Sequence, residues 1–358
     1  MEVKRQHLYP SPGKALIALV LLLLISFSAS ACADKPLSDS ELELKRFSAR
    51  GFYGFDTLTY ILAYLPSEED FDRLNSLVEE RLTYYNELYT AFEPSDKCLN
   101  VYALNESAGE LCQDLDADLF DLLSAALELA KASEGAFNPT MGRVTSLWKE
   151  AGAVSRSRPA DAYIPDASSL EEAGQHMDYH KLYLDAEHRS EQLLDKQIRL
   201  DLGAIAKGYA VELVAGEIQK AGFDHVLLSV GGNVRAIGSK PNDQAWQVGI
   251  QDPMLHDQVL ETLEIRSGAV VTSGVYERNF NYDGKLYHHI IDPQSLYPSE
   301  RYLSVSLIGP DSGLADGLAT ALFNLDEDQG NALAKKYGYR VIRVLPNGEV
   351  RHFTPPDH

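Results

Sequence analysis

The chain has 358 residues, 32 Lys and Arg against 53 Asp and Glu, a formal net charge of −21, 45% hydrophobic residues and three cysteines. That length suffices for a large core, and no internal repeat or low-complexity stretch interrupts it. So acidic a surface repels nucleic acid and anionic lipid headgroups, and the cysteines follow no metal-binding spacing.

At the amino terminus Lys4, Arg5 and Lys14 precede an apolar run over residues 15–27. The run is too short to span a bilayer comfortably but fits a signal-peptide core. It ends in Ala29-Ser30-Ala31-Cys32, small residues up to a cysteine, as in bacterial lipoproteins. The expectation is a signal peptide over residues 1–31 and a lipidated Cys32, with ordinary cleavage after Ala31 as the alternative. Residues 32–46 are polar and charged, a tether, and 47–358 form the body. Without residues 1–31 the chain keeps 29 basic and 52 acidic residues, net −23.

Within the body, residues 55–64 read as a strand. Residues 67–92 read as a long helix with Phe71, Leu74, Leu77, Val78, Leu82, Tyr85 and Leu88 on one face. Cys98 and Cys112 either pair in an oxidising compartment or stay as buried thiols. A second helix covers 117–133, and the Pro/Ser/Arg stretch 154–169 reads as a surface excursion. Helices follow over 205–220, 314–323 and 327–337. Asp283-Gly284 and Asn347-Gly348 both signal type I′ hairpins. The pattern predicts an α+β body of mixed, largely antiparallel sheets with packed helices, in two lobes sharing one cleft.

Five segments carry chemistry. GAFNPTMGRVTSLW (135–148) interrupts an apolar stretch with glycine and proline directly after a helix, which a plain loop packed on Trp148 also explains. LDLGAIAKGYA (200–210) sets Asp201 beside a glycine-rich turn and Lys207 at the start of an amphipathic helix, able to offer amides and an ammonium to phosphate. SVGGN (229–233) and TSGVYER (272–278) hold glycines suited to positive φ or close backbone approach, with Asn233 and Ser273 within reach of a ligand and Tyr276 and Arg278 supporting the wall. In HHIIDP (288–293) two adjacent histidines alternate faces, so one can point into the cleft as a base. In ADGLATALF (315–323) Asp316 and Thr320 lie four residues apart on one helix face, as a metal pair or as a helix cap with a hydroxyl bonded back to the main chain.

Together these segments resemble the ApbE family of flavin transferases, over about residues 50 to 350. The resemblance implies a T-fold-related body with the flavin cleft between its lobes. It implies His289 as the catalytic base, and Ala204 (through its carbonyl), Asp316 and Thr320 as ligands of Mg²⁺. It further implies Phe55, Phe92, Ala136, Phe137, Asn138, Asp201, Lys207 and Ile291 against FAD, with His288 as an outward or supporting partner. The chain departs from the family pattern at Asn138, where many members carry aspartate, at Phe55-Asp56-Thr57, where many carry Met-Gly-Thr, and at Phe92, where others carry tyrosine. The implied reaction is Mg²⁺-dependent transfer of FMN from FAD to a Thr or Ser hydroxyl of an acceptor flavoprotein bearing a Ser/Thr-Gly-Ala-Thr-like segment, releasing AMP. Hydrolysis of FAD to FMN and AMP, or flavin binding without catalysis, are the alternatives. The implied location is the outer face of the cell membrane, held by the lipid.

Overall fold

Alternating side chains build the centre of the molecule. In the strand over Thr59–Leu65, Ile61, Ala63 and Leu65 are buried on one side while Leu62 and Tyr64 pack on the other, as the two-residue period of a strand requires. A sheet with two apolar faces must be covered on both. The computed structural model describes residues 43–255 and 257–356. The apolar run, Cys32 and most of the tether lie outside them, and among the described residues no helix is long and apolar enough to cross a membrane.

The elements in chain order are β1 (Lys45–Gly51), β2 (Thr59–Leu65), α1 (Glu68–Tyr89), α2 (Val101–Glu106), β3 (Leu111–Cys112), α3 (Ala117–Ala132), α4 (Gly142–Ser157) and α5 (Ala167–Gly174). Next come β4 (Leu182–Asp185), β5 (Ser190–Leu193), α6 (Ala206–Lys220), β6 (Val226–Val230), β7 (Asn233–Ile237), β8 (Trp246–Gln251), β9 (Val259–Ile265) and β10 (Gly268–Gly274). The last are β11 (Asn279–Tyr282), β12 (Lys285–His288), β13 (Ser304–Gly309), α7 (Ser312–Asn324), α8 (Glu327–Tyr337), β14 (Arg340–Val344) and β15 (Val350–Phe353). An eight-stranded antiparallel sheet runs β1-β2-β6-β7-β10-β13-β14-β15. One face carries the main core with α1, α3, α6 and α7, and the other is covered by the β8–β9 hairpin around Trp246. The α+β, largely antiparallel expectation holds.

A smaller cluster, Met141, Val144, Trp148, Leu170, Phe280, Tyr287 and Ile291 from α4, α5 and the β11–β12 hairpin, forms the second lobe. Trp148 stacks on Tyr287 at 5.6 Å and donates its indole N–H to the Leu296 carbonyl at 2.8 Å. The chain crosses between the two clusters near residues 137–141, 275–280 and 287–302, and the chemistry gathers at those crossings.

Several elements differ from the sequence reading. The strand expected from residue 55 begins at Thr59, because Gly54, Phe55 and Asp56 turn at positive φ and the Phe55 N–H bonds Asn86 Oδ1 at 2.7 Å. β1 starts at Lys45, two residues inside the expected tether. The expected excursion at 154 is still helix: α4 runs to Ser157 and ends where Pro159 forces Arg158 out of helical geometry. Asp283-Gly284 forms the I′ turn, both residues at positive φ, whereas at Asn347-Gly348 only the glycine is, because Pro346 fixes a negative φ in the turn closed by Gly348 N–H to Leu345 O. That is a type I turn with a glycine bulge.

Cys98 and Cys112 are both free thiols. Cys112 faces Glu191 in the β3–β5 register, and Glu191 is only 1% exposed with Oε1 lacking a hydrogen bond among the described residues. Burial pushes the Glu191 carboxyl up to about 8. Since its folded pKa exceeds the unfolded one, stability is full below the unfolded value, falls as pH climbs toward about 8, and is then flat. Glu191→Gln is expected to abolish that fall and to gain about 2 kcal/mol at neutral pH. Thermal unfolding from pH 4 to 9 checks this, and equal pH slopes in both proteins would contradict it.

Candidate active site

The start of α6 is shaped by what its N–H groups bond. Asp201 donates its N–H to the Pro139 carbonyl at 2.9 Å and accepts the Gly203 N–H on Oδ1 at 3.0 Å, fixing a tight turn before the helix. Gly208 then donates across the helix pair, to Asp316 Oδ2 at 2.8 Å. The Ala204 carbonyl, which a continuous helix would pair with that N–H, receives no hydrogen bond from any described residue. Only glycine fits here: a Cβ at 208 would sit 2.3 Å from the Ser312 carbonyl and 2.5 Å from Asp316 Cβ.

Asp316 does not cap α7. Asp311 does, accepting the Leu314 N–H at 2.8 Å, which leaves the Asp316 carboxylate to Gly208 and to Lys207, whose Nζ lies 3.7 Å from Oδ1. Thr320, one turn on and half-buried, makes no hydrogen bond to a described residue, so the alternative of a hydroxyl bonded back to the main chain is not seen. The α6–α7 crossing is thus fixed by Asp316, while the Ala204 carbonyl at the head of α6 and the Thr320 hydroxyl one turn along α7 keep no donor or acceptor among the described residues.

Asp201 is the second anchor. Its Oδ2 accepts from Thr145 Oγ1 at 2.6 Å and from Lys149 Nζ at 2.8 Å. Burial alone would raise its pKa, but the Lys149 charge and these hydrogen bonds outweigh it and hold the carboxyl at about 2. The Lys149 ammonium also lies 4.2 Å from the centre of the Phe92 ring, which is 60% exposed.

His288 ends β12 and His289 opens the bend that follows, so the two side chains part. His288 is buried rather than outward, with Nε2 on the Ser299 carbonyl at 2.9 Å and Nδ1 accepting the Ile290 N–H at 3.2 Å. His289 is open to solvent inside the cleft. Partial desolvation by the cleft walls, and after it the charges of Arg278, Lys149 and Lys207, push its pKa below the ordinary imidazole value. Glu277 faces Lys207, Arg278 and Asp316, and crowding raises its pKa against the pull of the two cations.

Other expected contacts are placed differently. The Phe137 ring is 1% exposed within the main core, and Ile291 is buried in the second lobe, so neither side chain faces a ligand. Asn138 spends its amide on the Met177 carbonyl and its oxygen on Thr140, because it holds the loop rather than the cleft. The Ala136 and Ile291 carbonyls both accept from Asn324 Nδ2. Asn233 is fully buried, with its amide unbonded to any described residue, and so cannot touch a ligand in the cleft. Gly231 and Gly232 turn at positive φ, and a Cβ on Gly231 would lie 2.4 Å from Thr57 Oγ1. Gly274 has no positive φ; the Tyr276 ring takes its Cβ space instead. A cavity of about 840 Å³ is lined by Ala136, Asn138, Tyr179, Asp292, Arg301 and Lys336, among others, but not by His289, Lys207, Asp201 or Asp316.

Three site residues escaped the sequence reading: Thr145, Lys149 and Glu277. The first two lie four apart on α4, one helix face, a spacing that the sequence does show.

A two-lobed α+β body with His289 exposed among Lys149, Lys207 and Arg278 and the carboxylates of Asp201, Asp316 and Glu277 defines the candidate site. The sequence profile of the ApbE family matches residues 55–343, and the chain belongs to that family. It is 37% identical over 265 residues to the FAD:protein FMN transferase of Treponema pallidum, covering 70% of this chain and 71% of that one. To a FAD:protein FMN transferase of Klebsiella pneumoniae it is 32% identical over 298 residues, 82% and 89% of the two chains. The crystal structure of the ApbE protein of Thermotoga maritima superposes with a TM-score of 0.77 at 28% identity, covering 86% of this chain and 97% of that one. The apo flavinyl transferase ApbE of Pseudomonas stutzeri gives 0.72 at 26%, covering 88% and 96%.

Gly208→Ala tests the crossing. The new methyl has no space, so α6 and α7 must part, at a cost of about 1–3 kcal/mol, and Asp316 loses its backbone donor. A thermal midpoint equal to wild type would show that the two helices accommodate a Cβ.

Proposed function

We propose that this enzyme transfers FMN from FAD to a Thr or Ser hydroxyl of an acceptor flavoprotein, releasing AMP. The observation that carries the reading is the cleft where the charges of Arg278, Lys149 and Lys207 reach His289 and Lys207 pairs with Asp316. The named activity of the relatives supports it. In the reaction the acceptor hydroxyl oxygen bonds the phosphorus of the FMN half of FAD, the pyrophosphate P–O bond breaks, and AMP departs with the electron pair.

His289 takes the hydroxyl proton. Lys207 meets the charge on the phosphoryl oxygens, and Asp201 is fixed to accept from a substrate hydroxyl. A Mg²⁺ ion would be held by the Ala204 carbonyl, Asp316 and Thr320 and, when bound, would neutralise phosphate charge. Solvent reaches His289, so hydrolysis of FAD in the absence of an acceptor is the competing outcome.

Incubation of the purified protein with FAD, Mg²⁺ and a flavoprotein bearing a Ser/Thr-Gly-Ala-Thr-like segment, read by intact mass, tests the reading. A mass gain of one FMN on the acceptor supports transfer, free FMN alone means hydrolysis, and unchanged FAD overturns both. Asp316→Ala is expected to abolish transfer and weaken FAD binding, Thr320→Val to act less severely. His289→Ala is expected to slow transfer by about 10²–10⁴-fold with FAD affinity kept. Because the cations of the cleft oppose a proton on His289 in the free enzyme, its limb in kcat/KM should lie below that of a free imidazole, and a limb near neutrality that survives in His289→Ala would assign the proton elsewhere.

The acidic body offers little attraction to anionic lipid, so membrane attachment is proposed to come from Cys32, at the outer face. Cys32→Ser should free the protein from membrane fractions with its specific activity unchanged. Continued sedimentation with membranes would count against a lipid anchor.

A further inference from the structure

Lys149 is given no contact with substrate in the reading above, yet its ammonium is placed where the cleft needs charge. It is 2.8 Å from Asp201 Oδ2, rests 4.2 Å from the Phe92 ring centre, and its field reaches His289. The side chain is 38% exposed, and Asp201 keeps Thr145 and the Gly203 N–H if the lysine departs. The charged side chains of the cleft, Lys149, Lys207 and Arg278 against Asp201, Asp316 and Glu277, cancel. A pyrophosphate dianion entering a chain of net charge −21 gains from a cation released from its carboxylate. Lys207 is tied to Asp316, which sits against Gly208. Lys149 is the more exposed of the two lysines and swings on a flexible stem.

We propose that Lys149 contacts the substrate: in the FAD complex its ammonium yields Asp201 to a substrate hydroxyl and pairs with the pyrophosphate joining FMN to AMP. This rests on FAD being the substrate. A lysine that merely pins α4 to the 201 turn would matter equally for any flavin, whereas a pyrophosphate contact distinguishes FAD from riboflavin, which has no phosphate.

Flavin fluorescence titrations of the purified protein without acceptor provide the test. Lys149→Met is expected to weaken FAD by about 10-fold and riboflavin by less than about 2-fold, with Lys149→Arg recovering most of the FAD affinity. In the wild type, FAD and inorganic pyrophosphate should each slow amine labelling of Lys149 followed by mass spectrometry, and riboflavin should not. That measurement decides the matter even if the methionine variant fails to fold. Equal losses for FAD and riboflavin, unchanged FAD affinity, or labelling indifferent to pyrophosphate overturns the proposal. If the wild type binds FAD but transfers nothing, the transfer reading fails and the lysine contact stands; if FAD does not bind, both fall.

Discussion

Gly208 sends its N–H across to Asp316 instead of back along α6, and the cleft is organised by that hydrogen bond. A bond to a buried carboxylate contributes about 1.5–3 kcal/mol, enough to offset the helical bond forgone. Its second effect is geometric: the Ala204 carbonyl is left at the head of the helix with its lone pairs free of described donors. Lys207, one residue earlier, is brought to the same carboxylate. One missing side chain thus sets a carbonyl, a carboxylate and an ammonium together, and the crowding that demands glycine is the crowding that brings the two helices into register.

Around that crossing, burial and charge are balanced rather than maximised. Glu212 ties the outer turns of α6 and α7 to β7, accepting from Arg235 and from the Ser312 N–H and hydroxyl. A rigid pair of helices, held at a second point one turn away, lets the cleft carry six charged side chains without each needing a fixed partner. Paired buried charges add little net stability; here they hold positions for a ligand that brings its own charge.

The sequence made much of this legible, for physical reasons that differ between residues. α8 was readable to its ends because Asp326 caps it and Gly338 closes it in the left-handed region. That one of the two histidines faces the cleft was readable, but strand alternation is not the reason: His289 lies in the bend after β12, and the burial of His288 follows from Ser299 and Phe323, distant in sequence. Phe137 and Ile291 show the limit: a motif says that a segment lines a cleft, while tertiary packing decides which atoms face it. Pro346 overrode an Asn-Gly signal by fixing one dihedral. Lys149 went unread because its partners, Asp201 and Phe92, lie 52 and 57 positions away.

The depressed His289 pKa has a chemical meaning once the cleft is viewed with its substrate. Desolvation and the charges of Arg278, Lys149 and Lys207 oppose a proton on that ring, which lowers its basicity in the free enzyme. In the proposed reaction the pyrophosphate dianion enters among the same cations and offsets their field at the ring. On that proposal the basicity of His289 rises with FAD in place, and the proton taken from the acceptor hydroxyl is stabilised by the phosphate charge under attack. In the proposed reaction Arg278, Lys149 and Lys207 therefore have two tasks, binding the dianion and, through the charge it brings, restoring the basicity of His289.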